Sequence, residues 1–422
     1  MTAGRTRVGI FGLLGSGNIG NDASMEAVLH YLRASYPDAV IDAMCFGPER
    51  VRSLYGIDAV PLAWYCRHET WASGITAMGL KAVGKIFDAA RIASWVRRHD
   101  VVIVPGMGVL ETTLPLSALG TPYEMFLLCA SGRLSRTKVA LVCVGANVIK
   151  QPLARWLCRS AARLAFYRSY RNASSRDAMV PRRSGKQLDE VYPDLAFALP
   201  MAPAPTGDMR IVGLGVMDFH GSNDERRQAS EIHESYVEGV KRFVLWLVDS
   251  GRAVRLFVGD TKGCDNEVVA RLLTELRAAR PGMPAEQVTS VEASTFDEVA
   301  AALAPVGTVV AARFHNVICA LRLCKPTISI GYAAKHDALM ADVGLAEFCQ
   351  SARALDVDRL ILQFTDLEGR APELRTQIAE RNAALAAQLE TQFAVLSAAL
   401  FPGSPRAGQV PNVQDSVGSG AV

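Results

Sequence analysis

Four side chains that could bind an anion and move a proton lie close together in the second half of the sequence. Arg313 and His315 follow one apolar, strand-like run, and Tyr332 and Lys335 follow the next one. The carboxyl ends of neighbouring parallel strands share one edge of a sheet, and the free N–H groups of the helices that start there favour anions. The pattern predicts a site for a phosphate, a carboxylate or both. His315 taken alone would also fit a helix N-terminal histidine that the backbone satisfies.

A glycine-rich loop is predicted after the first strand. Gly15, Gly17 and Gly20 have the G-x-G-x-x-G spacing of dinucleotide sites, and Asn21 and Asp22 follow directly. Two features weigh against a dinucleotide: the negative charge beside the expected pyrophosphate, and the acid of the second strand, which lies in mid-strand. Two other interpretations stay open, a turn that only permits tight packing of strand on helix, and a loop that lines a polar ligand cleft.

Other residues give weaker signals. Gly106 and Gly108 follow the third predicted strand, so they belong to the same sheet edge as the first loop. Arg176 follows the fifth strand, where it fits a structural ion pair as well as a ligand contact. Lys325 and His336 are interpreted as solvated helix-cap residues. Because the sequence has no H-x-x-x-H, H-E-x-x-H or D-x-D motif, we expect no essential metal.

Strand-like and helical runs alternate along the chain, which is typical of α/β units with parallel sheets. The predicted strands lie at 7–12, 39–46, 101–104, 138–144, 167–172 and 190–193, and then at 209–216, 253–258, 287–291, 308–312 and 327–331. Thr295–Glu298 is a capping box that predicts the start of a helix. Apolar residues between 374 and 396 recur at helical spacing and predict a late amphipathic helix.

The length of 422 residues favours two domains. The proline-rich stretch Leu199–Gly207 is the predicted linker. We therefore expect a Rossmann-like domain over 1–200, a second one over 208–350, C-terminal helices over 351–402 and a disordered tail over 403–422. Two such halves, with a late helix returning to the first, indicate an α/β fold of GT-B type with a ligand cleft between the halves.

Composition excludes several classes of protein. The 45 basic and 42 acidic residues leave a net charge of +3, which argues against a dedicated nucleic-acid binder. The nine cysteines are scattered without a C-x-x-C pair, as in proteins whose thiols stay reduced. We find neither a signal-peptide pattern nor an apolar run long enough for a transmembrane helix, and we expect a cytoplasmic protein.

Two separated segments make the sequence resemble the polysaccharide pyruvyl transferase family. One is the first-loop segment Gly17–Glu26, and the other runs from Arg313–His315 to Lys325–Lys335. Weaker similarities lie at Pro105–Gly108, Ser175–Asp177 and Pro193–Phe197. The sequence departs from the family at Asn21-Asp22, where many members carry Asp-Glu, and this puts an acid/base role of the loop in doubt.

The resemblance implies a GT-B-like fold and transfer of a pyruvyl group from phosphoenolpyruvate to a sugar, usually as a cyclic ketal, without a cofactor. Phosphoenolpyruvate carries a phosphate and a carboxylate, which suit Arg313 and Lys335, with Tyr332 and Arg176 beside them. Its C3 atom must gain a proton, and His315 is the candidate general acid because imidazoles titrate near neutral pH. The expected acceptor contacts are the first-half loop residues Gly17, Asn18, Asn21, Asp22, Gly106 and Gly108.

Two alternatives remain at this stage: a nucleotide-sugar glycosyltransferase of the same build, and a non-catalytic protein that binds glycans or phosphate. A nucleotide donor would favour an acid late in the second half, and none is well placed after 331. Arg155, Arg159 and Arg163, together with the basic stretch 78–98, fit helices that cover a sheet with solvated arginines. The same spacing also occurs in helices that lie peripherally on the inner face of a membrane, which would suit a lipid-linked acceptor, but the first interpretation is favoured.

Overall fold

The computed structural model describes residues 5–63, 75–111, 118–179, 189–201, 205–260 and 263–402. Within them the chain forms two parallel six-stranded sheets with helices packed on them. The expected tail over 403–422 lies outside the described residues, and so does part of the expected linker. The predicted domain limits therefore stay a prediction.

The first sheet has the strand order β3-β2-β1-β4-β5-β6, and all of its pairs are parallel. Its central strands are apolar and buried along most of their length, as expected for a sheet that helices cover on both faces. The strands are β1 (Arg7–Gly12), β2 (Val40–Cys45), β3 (Asp58–Pro61), β4 (Val101–Pro105), β5 (Lys138–Val144) and β6 (Tyr167–Tyr170). The helices are α1 (Ile19–Ser35), α2 (Pro48–Tyr55), α3 (Ile75–Val96), α4 (Thr121–Ser135), α5 (Pro152–Leu164) and α6 (Ala173–Met179).

The second sheet has the order β12-β11-β10-β7-β8-β9 and is also parallel. Its strands are β7 (Asp208–Gly215), β8 (Ala253–Phe257), β9 (Val288–Ser290), β10 (Val306–Ala311), β11 (Thr327–Gly331) and β12 (Cys349–Ser351). Its helices are α7 (Ala229–Asp249), α8 (Asp265–Ala279), α9 (Phe296–Leu303), α10 (Phe314–Arg322), α11 (Ala334–Asp342) and α12 (Val357–Gly369). The Thr295 hydroxyl accepts from Glu298 N, so the predicted cap starts α9.

The last helix, α13 (Ala371–Leu400), returns to the first half. Its Phe393 ring stacks on Tyr31 of α1 with 4.5 Å between ring centres, and Lys138 of β5 donates to the Leu400 carbonyl at 2.8 Å. Among the described helices, α13 is long and apolar enough to cross a membrane. Its buried side chains recur at helical spacing and form one face that packs on the protein, as in an amphipathic helix of a globular protein.

This arrangement confirms the predicted fold, two α/β halves in a GT-B-type pair with a helix returning to the first half. Sequence reasoning missed β3 and β12, two edge strands of four and three residues. The strand predicted at 190–193 is wrong, because this stretch makes one isolated bridge, Val191 with Tyr170.

Candidate functional site

His315 lies where the two halves meet. It is in the first turn of α10, directly after β10, and Arg313 is the N-cap residue of that helix. The imidazole is packed against the start of α1 in the other half, where a Cβ atom on Gly20 would overlap its ring. Gly20 therefore allows the N-terminus of α1 and the imidazole to approach each other closely.

The Asp194 carboxylate faces the same imidazole. Asp194 is buried, and its Oδ1 atom accepts from Ala196 N at 3.1 Å, which fixes the side chain at the start of a 3₁₀ turn. Its Oδ2 atom lies 3.6 Å from His315 Nε2. Burial alone would raise the pKa of Asp194, but the nearby charges of His315 and Arg171 outweigh burial and lower it. Asp194 is therefore an ionised carboxylate at neutral pH.

Arg171 and Glu111 extend this row of charges. Arg171 follows β6, forms an ion pair with Glu111 after β4, and lies 3.9 Å from Asp194 Oδ2. Burial opposes ionisation of Glu111, yet the charges of Arg171 and Lys335 lower its pKa. Side chains from two loops of the first half thus form a buried network that reaches the second half.

Lys335 approaches from the second half, in the first turn of α11. Its Nζ atom lies 5.2 Å from the ring centres of both Phe314 and Tyr332, which is cation–π distance. The Arg171 guanidinium lies 5.5 Å from the Phe314 ring, so cations of both halves contact one aromatic ring. We use the name cleft cluster for His315, Asp194, Arg171, Glu111, Lys335 and Phe314.

Two predicted donor ligands have carboxylate partners. Arg313 forms a bidentate pair with the fully buried Asp265, with 2.8 Å from Nε and 2.6 Å from Nη2. Arg176 lies 3.1 Å from Asp177, which is the ion-pair arrangement that the sequence left open. Donor binding by either arginine stays a prediction.

The first loop is held together by its own side chains. Asn18 caps α1 by accepting from Gly20 N at 3.1 Å, and Asn21 Nδ2 donates to the Leu13 carbonyl at 3.2 Å. Asp22 is buried, and its Oδ1 atom accepts from Gly15 N at 2.7 Å. These contacts give the three side chains structural roles, and their acceptor contacts stay predictions.

Among the glycines of the predicted acceptor loops, Gly108 borders the cleft cluster and Gly106 borders α1. A Cβ atom on Gly106 would meet Ser24 of α1, and one on Gly108 would meet the Glu111 carboxylate. Gly17 has a φ of +92°, which other residues rarely adopt. These contacts explain why small residues are required there, and they leave the acceptor role of the loops as a prediction.

A dinucleotide fits this loop poorly. A Cβ atom on Gly15 would overlap the backbone of Gly47, which follows β2 at the place where a ribose-binding acid would stand. The mid-strand acid, Asp42, binds His99 Nε2 at 2.9 Å and Trp95 Nε1 at 2.8 Å. The need for glycine at position 15 is explained by its close packing against Gly47, and at position 20 by the contact with the His315 ring.

Lys325 and His336 are not solvated, and that interpretation is wrong. Lys325 is fully buried and donates to the carbonyls of Pro205 at 2.7 Å and Ala304 at 2.9 Å. Burial, reinforced by Arg375, lowers the pKa of Lys325 to about 8. His336 is fully buried beside Ser329, and burial with the charge of Lys335 keeps its pKa well below its usual range.

One group of described residues has the side-chain geometry of a possible metal site. Asp218 Oδ1 lies 2.8 Å from His220 Nε2 and 3.2 Å from His233 Nδ1. Both imidazoles lie close to one carboxylate oxygen, but His233 Nδ1 has no hydrogen-bond partner within the described part of the chain. Asp218 N donates to Asp265, so the group borders the Arg313 pair rather than the cleft cluster.

The structure brings the predicted His315 and Lys335 together with Glu111 and Arg171, which sequence reasoning missed. Both follow strands at the edge where ligands bind, and that position is the signal that could have identified them. Asp194 belongs to a segment that was noted only as a weak similarity, with no role assigned.

A family model described as "Polysaccharide pyruvyl transferase" matches residues 18–333. The chain belongs to this family. The matched range includes five of the six residues of the cleft cluster and ends two residues before Lys335. None of the curated proteins matches the chain.

Several solved structures have the same fold as this member of the pyruvyl transferase family, at low sequence identity. The UDP-GlcNAc 2-epimerase from Neisseria meningitidis bound to UDP-GlcNAc is 11% identical, with a TM-score of 0.55 over 93% of this chain and 99% of that one. Anabaena HepE in complex with UDP and glucose is 10% identical, with a TM-score of 0.54 over 92% and 100%. The UDP-GlcNAc 2-epimerase from Methanocaldococcus jannaschii is 9% identical, with a TM-score of 0.54 over 85% and 92%. At these identities the likeness concerns the fold alone.

Proposed function

We propose that this protein transfers a pyruvyl group from phosphoenolpyruvate to a sugar of a polysaccharide or glycolipid and forms a pyruvate ketal. The observation that supports this most strongly is His315, which is held between the N-terminus of α1 and the buried Asp194 carboxylate, with Lys335 in the same cluster. The pyruvyl transferase family supplies the reaction class.

Phosphoenolpyruvate binds through its two anionic groups in this proposal. Lys335 is a cation placed on an aromatic surface, and Arg313 and Tyr332 belong to the same edge of the second sheet. Arg171 adds a buried cation from the first half, which the sequence did not predict as a ligand. Charge-assisted hydrogen bonds from such groups hold carboxylates and phosphates in fixed positions.

The reaction needs one proton donor and two sugar hydroxyls. The first hydroxyl oxygen forms a bond to C2 while the C2–C3 double bond takes a proton from His315 at C3. The proton of that hydroxyl returns to the imidazole. The second hydroxyl oxygen then bonds to C2, the C2–O bond to phosphate breaks, and the proton of that hydroxyl leaves with the phosphate. The ionised Asp194 compensates the charge of the imidazole while the imidazole carries a proton.

A second candidate is a nucleotide-sugar-dependent glycosyltransferase. The structures with the same fold include complexes with UDP-GlcNAc and with UDP and glucose, so a fold of this kind accommodates such ligands. A homologue that binds glycan or phosphate without turnover is the third candidate. We also propose a cytoplasmic location, which the free cysteines among the described residues, most of them buried, support.

One assay separates these candidates. The purified protein is incubated with phosphoenolpyruvate or with UDP-sugars, each together with a panel of acceptor glycans. Release of phosphate and a mass-spectrometric signal for a ketal-linked pyruvyl group support the proposal. Release of UDP alone supports the glycosyltransferase, and binding without release of either product supports the third candidate.

His315→Gln is the first variant to test in this assay. It keeps a polar side chain of similar size but lacks the proton donor, and we expect a loss of about 10²–10⁴-fold in turnover. Thermal unfolding checks that the variant is folded. A folded variant with less than about tenfold loss would remove His315 from the proton-transfer role.

A further inference from the structure

Positive charge is concentrated in one segment of the first half. Residues 75–179 contain fifteen Lys and Arg but only five Asp and Glu, although the whole chain carries a net charge of only +3. The buried acids Asp88 and Glu124 both pair with Lys85, and Glu111 pairs with Arg171. Among the described side chains of this segment, seven Lys and Arg are exposed but only one acid, Asp100, so positive charge dominates its described surface.

This segment forms one layer of the molecule. With the strand order of the first sheet, right-handed crossovers place α3, α4 and α5 on one face and α1 and α2 on the other. Contacts between α3 and α4 and between α4 and α5 confirm that the three helices lie side by side. The opposite face carries α1, which packs against α9 and α10 of the second half. The α3–α5 layer therefore faces outward.

Large apolar side chains are exposed on the α3–α5 layer. In α5, Ala154, Leu157, Cys158 and Ala161 are buried, whereas Leu153 and Trp156 are about half exposed next to Arg155. The Trp156 ring contacts Phe126 of α4 with 5.3 Å between ring centres, which joins the exposed surfaces of the two helices. Further exposed apolar side chains on or beside the layer are Ile86, Leu134 and Val148.

We propose that the α3–α5 layer binds an anionic lipid surface. A helix face with Trp and Leu among arginines, and without acids, has the composition of helices that lie in the membrane interface. The positive charge would also suit a nucleic acid, but exposed Leu, Ile and Val side chains would not help to bind one. A second copy of this chain would bring two strongly positive faces together in a symmetric contact, which is unfavourable.

The α3–α5 layer reaches the sheet edge that borders the cleft. α5 follows the carboxyl end of β5, so Leu153 and Trp156 in its first turns lie at the sheet edge that also carries Glu111 and Arg171. A bilayer bound there would present lipid-linked sugars close to the cleft. Only this consequence depends on the proposed function, because lipid binding itself is independent of the reaction.

The test uses the full-length protein and extruded vesicles of phosphatidylcholine with or without phosphatidylglycerol. We expect sedimentation with the anionic vesicles, little with pure phosphatidylcholine, and a decrease as salt is raised. Arg155→Glu with Arg163→Glu should lower the partition coefficient by roughly tenfold or more, and Leu153→Ser with Trp156→Ser should lower it as well.

Matched controls come from the second half, where Leu362 is 72% exposed and Arg359 is exposed on the same helix, α12. Leu362→Ser and Arg359→Glu should bind vesicles as the wild type does. Equal losses in both sets, or sedimentation that ignores lipid charge, would overturn the proposal. A wild-type protein that stays in the supernatant would also overturn the proposal. Light scattering would then test whether the layer joins two copies of the chain, and a mobility shift would test whether it binds RNA.

If a charge-reversal variant does not fold, the fluorescence of the wild-type protein still tests whether the layer binds lipid. The emission of Trp156 should shift to the blue with anionic vesicles and be quenched by brominated lipid, and Trp156→Phe should remove most of that signal. An emission spectrum that anionic vesicles leave unchanged would contradict the proposal.

Discussion

Asp194, Arg171 and Glu111 form a buried row of alternating charges whose end faces His315. Each of these charges would be costly to bury alone, and each has a partner of opposite sign within about 4 Å. The row therefore holds an ionised carboxylate beside the imidazole in a place that water reaches poorly. That is the residue-scale feature on which the proposed proton transfer depends.

Asp194→Asn should destabilise the protein in a pH-dependent way. The lowered pKa of Asp194 means that its stabilising contribution is complete above its ordinary value of 3.8 and is lost as the pH falls through the lowered folded-state value. At pH 7 we expect the variant to lose about 3–5 kcal/mol in free energy of unfolding, because Arg171 loses a partner. Urea titrations of both proteins at pH 7 and in steps below pH 4 should show this difference shrinking. A difference that stays constant over that range would mean that the carboxylate is not ionised in the folded protein.

Lys335→Ala should weaken phosphoenolpyruvate binding by roughly ten- to a hundredfold, since one charge-assisted contact is removed. Calorimetric titration measures this, with Lys241→Ala on α7 as the control because that lysine pairs with Glu238 and Glu275 instead. Arg313→Ala is less informative, since it also leaves the fully buried Asp265 without its bidentate partner. Wild-type affinity in Lys335→Ala would show that the donor binds elsewhere.

At the scale of elements, the site depends on how α1 meets α10. The Asn18 side chain caps α1, and Asn18 also bridges to Asp260 of the second half, while Ile19 N donates to the Gly259 carbonyl at 3.3 Å. These contacts fix the N-terminus of α1 against the second half. His315 lies in the first turn of α10 within this junction, so its position depends on both helices.

Gly20→Ala should disturb this junction. The added Cβ atom would overlap the His315 ring, so the imidazole or the start of α1 must shift, and a misplacement of about 1 Å can cost roughly a hundredfold in rate. The pyruvyl-transfer assay measures the loss. Gly369→Ala at the end of α12 is the matched control, because its Cβ atom would meet open space and activity should stay normal. Normal activity in Gly20→Ala would mean that the ring can move without consequence for the reaction.

At the scale of the whole molecule, α13 connects the two halves. Asn382 Nδ2 donates to the Leu321 carbonyl of α10 at 2.7 Å. Farther along the helix, Gln392 Nε2 donates to Ser169 of β6 at 2.7 Å and Phe393 stacks on Tyr31 of α1. Because one helix is packed on both halves, its contacts influence how the cleft is held together.

Phe393→Ala should lower the free energy of unfolding by about 3–5 kcal/mol, since it removes a buried ring and leaves a cavity against Tyr31. Val395→Ala on the same helix should change it by less than about 0.5 kcal/mol, because Val395 is 42% exposed. Urea denaturation followed by circular dichroism compares the two. Similar effects in both variants would show that α13 is not anchored through its aromatic contact.

Features that depend on neighbouring residues could be predicted from the amino-acid sequence. Apolar runs predicted the central strands, and the Thr295–Glu298 capping box predicted the start of α9. The helical spacing of apolar residues from Leu374 to Leu396 predicted the buried face of α13. His315 and Lys335 could be predicted as site residues for the same reason, since each follows a strand that its own composition reveals. Strands of three residues lie at the limit of such reasoning, which predicts β9 but misses β12.

The partners of the charged residues follow from the folded arrangement of the chain and could not be predicted from the residues around them. Arg171 and Glu111 are 60 positions apart, Arg313 and Asp265 are 48 apart, and nothing in the local pattern links them. His315 and Asp194 belong to different halves and meet only because the halves close on each other. The physical reason is range: helix caps and apolar periodicity act over a few residues, whereas an ion pair needs two backbones placed within ångströms by the packing of whole sheets.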